Sequence, residues 1–251
     1  MKDDEYYNKF YSYFSSRRVF KRKDLLEFFH KLEPGLKEST FSWRIFDLKK
    51  RNIISDLKTG VYTLNSKKPF VPQISPDIIS INKLITQLYD PQFYMTWDTI
   101  WINDLTELQA TSSQIILEIE KGLMTSVFFT LRDQGFREMF IKPDNSMTER
   151  YISEGEHPII IKPFISRSPA QIVENIKAPS LEKILVDLYC DDEIYFAFQG
   201  HQLEVIYRNA VSRYSLNFST LFTYAKRRSR EDEIKTLLMN VLDTDLKEIL
   251  K

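Results

Sequence analysis

The sequence predicts a mixed α/β chain of the α+β kind. A small basic helix-and-hairpin unit comes first, then a compact mixed-sheet body whose C-terminal part is helical. Three observations predict it. From Arg17 to Lys68, two short helical patterns lead straight into a Gly-tipped hairpin. Over some ninety residues after Pro76, short β-branched runs alternate with helical patterns. Beyond Pro179, apolar residues recur almost everywhere at helical spacing.

The N-terminal unit reads as a winged helix-turn-helix. Its first helix spans Arg22 to Leu32, with Leu25, Phe28, Phe29 and Leu32 inward, and Pro34-Gly35 ends it. Ser39 and Thr40 suit the N-cap of the second helix. Phe41, Ile45 and Leu48 follow at i, i+4 and i+7 and share one face. Lys49, Lys50 and Arg51 close the last turn, where cations suit the helix dipole. Ile53–Asp56 and Val61–Leu64 then pair around a Lys58-Thr59-Gly60 turn, and a hairpin directly after a capped helix is the wing pattern. Ahead of the unit, Tyr6, Tyr7, Phe10, Tyr11, Tyr13 and Phe14 make an aromatic first helix, expected to brace it.

The charge is split as sharply as the pattern. Between Arg17 and Lys68, fourteen Lys or Arg face six acids, a surplus of eight, while the whole chain balances at 35 of each. A basic unit joined to an acidic body implies a nucleic-acid face, with double-stranded DNA as the partner. In a helix-turn-helix unit the N-terminal residues of the second helix approach base edges. Here those are Ser39, Ser42, Trp43 and Arg44. Lys50, Arg51 and Lys58 suit phosphates, and Arg17, Arg18 and Lys21 complete the basic set. Trp43 and Phe46 lie off the buried stripe; packing on the first helix or on the body would occupy them and narrow the DNA face. A solvated basic helix-hairpin, or a winged helix that docks protein, carries the same pattern.

The chain divides at a Pro-rich joint. Residues 1–68 form the winged unit, 69–75 a linker without periodicity, and 76–251 the body. Ser75 caps the first body helix with Pro76 at its first position, and Ile78, Ile81, Ile85 and Leu88 form its buried stripe. Phe93, Met95 and Trp97 alternate like a strand, and Ile100 to Leu108 is expected to be helical. Strands are expected at Ile115–Ile119, Glu138–Ile141 and Pro158–Lys162, with a helix from Gly122 to Arg132. Further helices are expected at about 180–190, 201–214, 217–228 and 230–241.

Composition narrows the function. A single cysteine, Cys190, excludes an intrachain disulfide and a Cys cluster for zinc. The three histidines, His30, His157 and His201, share no metal-ligand spacing, so no metal site and no cofactor is expected. The N-terminus lacks a signal-peptide pattern and no apolar run is long enough to span a bilayer, so a soluble cytoplasmic protein without a membrane partner is expected.

No catalytic constellation emerges. There is no G-x-S-x-G and no P-loop, and Asp191 and Asp192 beside Cys190 argue against a thiolate nucleophile. Nucleotidyl transfer needs convergent carboxylates and a Gly-rich turn, yet the only compact Asp-x-Asp is Asp243-Thr244-Asp245 near the C-terminus. Glu118, Glu120 and Asp133 read as surface charge. In Ser180–Leu188, Ser180 can cap a helix whose inner face is Leu181, Ile184, Leu185 and Leu188. Glu182 and Lys183 point away, and Asp187 falls at the edge of the face, where a carboxylate needs a partner. Downstream, Lys226, Arg227, Arg228 and Arg230 form a basic cluster expected to serve as the body's contact surface.

The order of parts resembles a known family. Thr59-Gly60-Val61-Tyr62-Thr63-Leu64, the Pro-rich joint, Ser180 to Leu188 and Tyr224-Ala225-Lys226-Arg227 together resemble the AbiEi-type antitoxins of bacterial abortive-infection, type IV toxin–antitoxin systems. The likeness is strongest at the wing and around Glu182–Leu188; the chain departs from the family in its aromatic first helix and its central region. The resemblance implies a winged helix on a nucleotidyltransferase-like body that lacks the active site. It also implies autorepression through operator DNA repeats, and a nucleotidyltransferase-like toxin as the antagonised partner. An active nucleotidyltransferase that holds nucleic acid with its winged helix, and a protein-docking scaffold, are the competing readings.

Overall fold

A computed structural model describes residues 3–15, 17, 19–51, 53–64, 68–107, 113–144, 147 and 157–242. Arg18 and the Asp243-Thr244-Asp245 triplet lie outside the described residues. The chain is a mixture of helices and small sheets with both strand orientations, as the sequence predicts. No described helix is long and apolar enough to cross a membrane.

The N-terminal unit runs α1 (Asp3–Phe14), β1 (Phe20–Lys21), α2 (Arg22–Leu32), α3 (Glu38–Lys50), β2 (Ile54–Lys58) and β3 (Val61–Leu64). Its sheet has the order β1-β3-β2, all antiparallel. Gly60, at φ +74°, makes the hairpin turn in a backbone region costly for a side chain. The aromatic spacing of α1 puts Phe10 and Phe14 on one face. Both are fully buried among Phe20, Leu25, Phe28, Phe29 and Phe41, and the Phe14 and Phe20 rings are 4.3 Å apart at their centroids. The first helix therefore braces the unit from inside its core.

The Pro-rich joint is a strap rather than a bare linker. Phe70, Pro72 and Ile74 are buried while Pro69, Val71 and Gln73 are exposed, a two-residue alternation that three prolines obscure in the sequence. Phe70 meets the Tyr214 ring edge-on at 5.3 Å, and Ser215 N–H donates to the Lys68 carbonyl over 3.1 Å. Extended chain with alternate buried side chains is how a strand packs, and here the body supplies the cover.

The body opens with α4 (Pro76–Thr86), capped by Ser75 Oγ accepting from Ile78 N–H at 3.3 Å. Ile78, Ile81 and Ile85 are buried; the helix stops before Leu88, which is exposed. A mixed sheet follows from β4 (Tyr94–Asp98), β5 (Ile115–Ile119), β6 (Met139–Ile141) and β7 (Ile159–Pro163), in the order β4-β5-β7-β6. β4 is antiparallel to β5; β7 is parallel to both β5 and β6. Thr99–Leu105 forms 3₁₀ turns in place of the expected α-helix, and α5 (Met124–Asp133) packs Val127 and Leu131 inward.

The hairpin β8 (Ala170–Val173) and β9 (Ile176–Pro179) was not foreseen from sequence. Its turn sets Glu174 and Asn175 at φ +51° and +64°, the two positive values a tight hairpin requires, without a glycine to announce them. The C-terminal helices are α6 (Leu181–Cys190), α7 (His201–Arg213), α8 (Phe218–Arg227) and α9 (Glu231–Val241).

Both faces of the sheet are covered, so its strands alternate between two cores. Ile115, Leu117, Ile119, Ile159 and Ile161 pack with Ile81, Ile85, Val127 and Leu131. Ile116 and Ile160 join the core under the C-terminal helices, which also takes in Leu57 and Val61 of the wing. The same alternation turns Glu118 and Lys162, cross-strand neighbours in β5 and β7, toward the helices with Ile116 and Ile160.

Candidate nucleic-acid interface

Helix α3 buries Phe41, Ile45 and Leu48 and turns its opposite side to solvent. At 100° per residue, Ser39, Trp43, Phe46 and Lys50 fall on one line nearly opposite the buried stripe, with Ser42 beside it. All five are exposed, Trp43 by 62% and Phe46 by 61%. The expectation that Trp43 and Phe46 pack on α1 or the body is thus overturned: Phe10 and Phe14 already fill the space beneath α2 and α3, and the body reaches the wing instead. The expected N-cap is also corrected. α3 begins at Glu38 with Lys37 in the cap position, which leaves Ser39 and Thr40 in the first turn, exposed.

Several cations of the unit are held by its own acids. Arg44 pairs with Glu33 and lies over the Phe29 ring, 5.4 Å from its centroid. Arg22 pairs with Glu38 and lies 4.5 Å over Phe41. Lys49 pairs with Asp56 at 2.6 Å and Arg51 with Asp47 at 3.0 Å. Arg17 sits 3.8 Å from Asp24, with half its side chain exposed. Lys21, Lys37 and Lys50 are exposed. Lys58 lies elsewhere: with Thr59 it lines a shallow recess of about 300 Å³ against Ser219, Phe222, Thr223, Lys226 and Glu231. The fold therefore brings together two cations from separate predicted groups, Lys58 of the wing and Lys226 of α8.

The predicted basic cluster on the body divides. Lys226 and Arg227 are exposed, and Arg230 pairs with Glu233 at 2.9 Å. Arg228 is a correction: its side chain is only 13% exposed and forks onto Asp187 (2.5 Å) and Asp191 (2.6 Å). Arg228 follows the last turn of α8, whose buried side faces α6, and this points the guanidinium inward.

That fork belongs to a buried charge network that sequence reasoning missed. Lys183, expected to point away, is fully buried; it donates to Glu118 at 2.5 Å and to Asp187 one turn along α6. Glu118, expected on the surface, is fully buried too. Lys162 donates to Asp191 at 2.5 Å and lies 3.8 Å from Asp187; Tyr224 Oη donates to Asp187 at 2.8 Å. Burial alone would raise the Asp187 pKa, but Lys183, Lys162 and Arg228 overcome it and hold the carboxyl well below its usual range. Burial opposes the Lys162 charge, and the surrounding Tyr195, Asp187, Glu118 and Asp191 outweigh that and push its pKa well above normal. Three cations thus meet three carboxylates and neutralise them, as buried ions require. One signal was legible beforehand: a charge inside each of two otherwise apolar strands, Glu118 and Lys162.

Elsewhere, burial pushes the Cys190 thiol up to about 11 against the opposing charge of Arg228, with Asp187 and Asp191 adding to the rise, which suits an inert thiol. Ser180 occupies the cap position of α6, but its hydroxyl donates to Glu182 at 2.6 Å. His157 lies between Asp77 (3.0 Å) and Asp98 (2.9 Å). Among the described residues no three His, Cys, Asp or Glu side chains gather as a metal site would need.

A family model, described as a family of unknown function (DUF6577), matches residues 40–244. The chain belongs to the DUF6577 family. The DUF6577 match begins inside α3 and takes in the wing, the strap and the body together. Trp43, Phe46, Lys50 and every member of the buried charge network fall within it, whereas α1 and α2 lie before it. A comparison with curated proteins returned no match.

Proposed function

We propose that this chain is a DNA-binding transcriptional regulator of the cytoplasm, the autorepressing antitoxin of a toxin–antitoxin operon. One observation carries the DNA-binding half: in a winged arrangement, α3 leaves a full stripe of Ser39, Ser42, Trp43, Phe46 and Lys50 to solvent. The surplus of eight positive charges between Arg17 and Lys68 favours a phosphate-rich partner. The antitoxin half rests on the likeness of Thr59–Leu64, Ser180–Leu188 and Tyr224–Arg227 to AbiEi-type antitoxins.

Nucleotidyl transfer is the less favoured reading. It asks for carboxylates that face a metal-bound phosphate. Glu118, Asp187 and Asp191 do converge, but on Lys162, Lys183 and Arg228, in the interior. The test is a reporter driven by the DNA upstream of the chain's own gene, with the chain supplied in trans. Repression that is relieved by Lys50→Ala supports the proposal. Unchanged reporter output at full expression of the folded chain overturns it.

A further inference from the structure

Resting on the DNA-binding reading above, we infer that α3 recognises thymine-rich duplex, with Trp43 and Phe46 meeting thymine 5-methyl groups in the major groove. Two aromatic side chains more than 60% exposed, on the line of a helix opposite its buried stripe, call for an apolar contact. The 5-methyl of thymine is the apolar group on the major-groove edges, and aromatic contact with it is an established form of base readout.

The guanidinium groups at this face are already engaged, and Lys50, at the far end of the line, is placed for a flanking phosphate rather than a base edge. Reading guanine takes a free guanidinium or ammonium fork. Arg44 is held by Glu33 above the Phe29 ring, and Arg22 by Glu38 above Phe41. Reading adenine takes Asn or Gln, and α3 contains neither. Asp47, which could accept from cytosine, accepts from Arg51 and from Tyr7 Oη at 3.1 Å. Ser39 and Ser42 bond to either kind of base edge and discriminate little. What remains for discrimination is hydrocarbon.

The spacing also suits the task. Side chains three apart on a helix stand roughly 5–6 Å apart at Cβ. Base pairs rise about 3.4 Å, so Trp43 and Phe46 reach methyls one or two steps apart. Lys50 continues the same line and Lys37 stands at its head, each placed for a flanking phosphate.

The probes are four short duplexes: alternating A·T with thymine or with deoxyuridine throughout, and alternating G·C with cytosine or 5-methylcytosine. The thymine and deoxyuridine duplexes differ by the methyl groups. The folded full chain is expected to bind the thymine duplex about fifteenfold more tightly than the deoxyuridine one. This follows from about fourfold for each of two buried methyls, at ~0.8 kcal/mol each. Methylating cytosine is expected to recover part of the loss. Trp43→Ala and Phe46→Ala, both exposed and so neutral to folding, are expected to shrink the thymine preference to under threefold together.

Equal binding of thymine and deoxyuridine duplexes overturns the inference and leaves the DNA-binding reading standing. A thymine preference that survives both substitutions overturns it as well. Binding to none of the four at low salt overturns the DNA-binding reading itself. If Trp43→Ala leaves every DNA affinity unchanged but abolishes self-association in sedimentation, the stripe is a protein-docking face and the inference fails.

Discussion

Replacing Lys183 with Met is expected to destabilise the chain by about 3–5 kcal/mol, the range seen when one partner of a buried ion pair is removed. The structure says where the loss arises. Glu118 is fully buried, its Oε1 accepts from Lys183 at 2.5 Å, and its Oε2 has no hydrogen-bond partner among the described residues. Without the ammonium, that carboxyl loses its hydrogen-bond donor in the interior beside Ile116. Asp187 fares better, because Arg228 and Tyr224 still donate to it. For a chain of 251 residues, each kcal/mol moves Tm by roughly 2–4 °C, so the fall should be about 6–20 °C in scanning calorimetry. Pairing Lys183→Met with Glu118→Leu removes the orphaned carboxyl as well, and should recover at least half of the loss. The reasoning is refuted if Lys183→Met lies within about 1 kcal/mol of the parent, or if the double substitution is no more stable than the single.

Two further outcomes follow from the same interior. The Asp187 carboxyl titrates below its unfolded value, so its contribution is present above the unfolded pKa of about 4 and lost as pH falls toward the lowered folded one. Urea unfolding from pH 7 to 3 should show a decline in stability that Asp187→Asn flattens; parallel curves would contradict the ion network. The Cys190 thiol, pushed up to about 11, should alkylate with iodoacetamide at pH 8 roughly a hundredfold more slowly than a thiol of pKa about 9. Labelling at the ordinary rate would place it in a wetter site than the structure gives it.

Much of the scaffold was legible because local signals agreed with it. Pro34-Gly35 stops α2 at Leu32, Gly60 marks the wing, and Ser75-Pro76 starts α4. The helices from Leu181 onward followed from apolar spacing alone. What escaped depended on partners distant in sequence. Lys183 looks like a solvated residue beside Glu182, and only the packing of α6 over β5 brings it to Glu118, 65 positions away. Arg228 reads as one cation in a basic run, and its partners lie on α6. The strap hid its alternation among prolines, and the β8–β9 turn uses Glu174 and Asn175 where a glycine would have given it away. At the candidate interface the candidate base-contacting residues Ser39, Ser42 and Trp43 do share the outer side of α3. The pairing of Arg44 with Glu33 and the position of Lys58 against α8 came only from the fold.

The salt dependence of DNA affinity tests the central claim most directly. Arg17, Lys21 and Lys50, with Lys37 at the head of α3, are the cations best placed for phosphate. About four phosphate contacts give a slope of log affinity against log salt of about −4, measured by fluorescence anisotropy on a duplex from the chain's own upstream region. Lys50→Ala should reduce that slope by about one and weaken binding to every duplex alike. A flat salt dependence, or no binding at the lowest salt, would contradict the account.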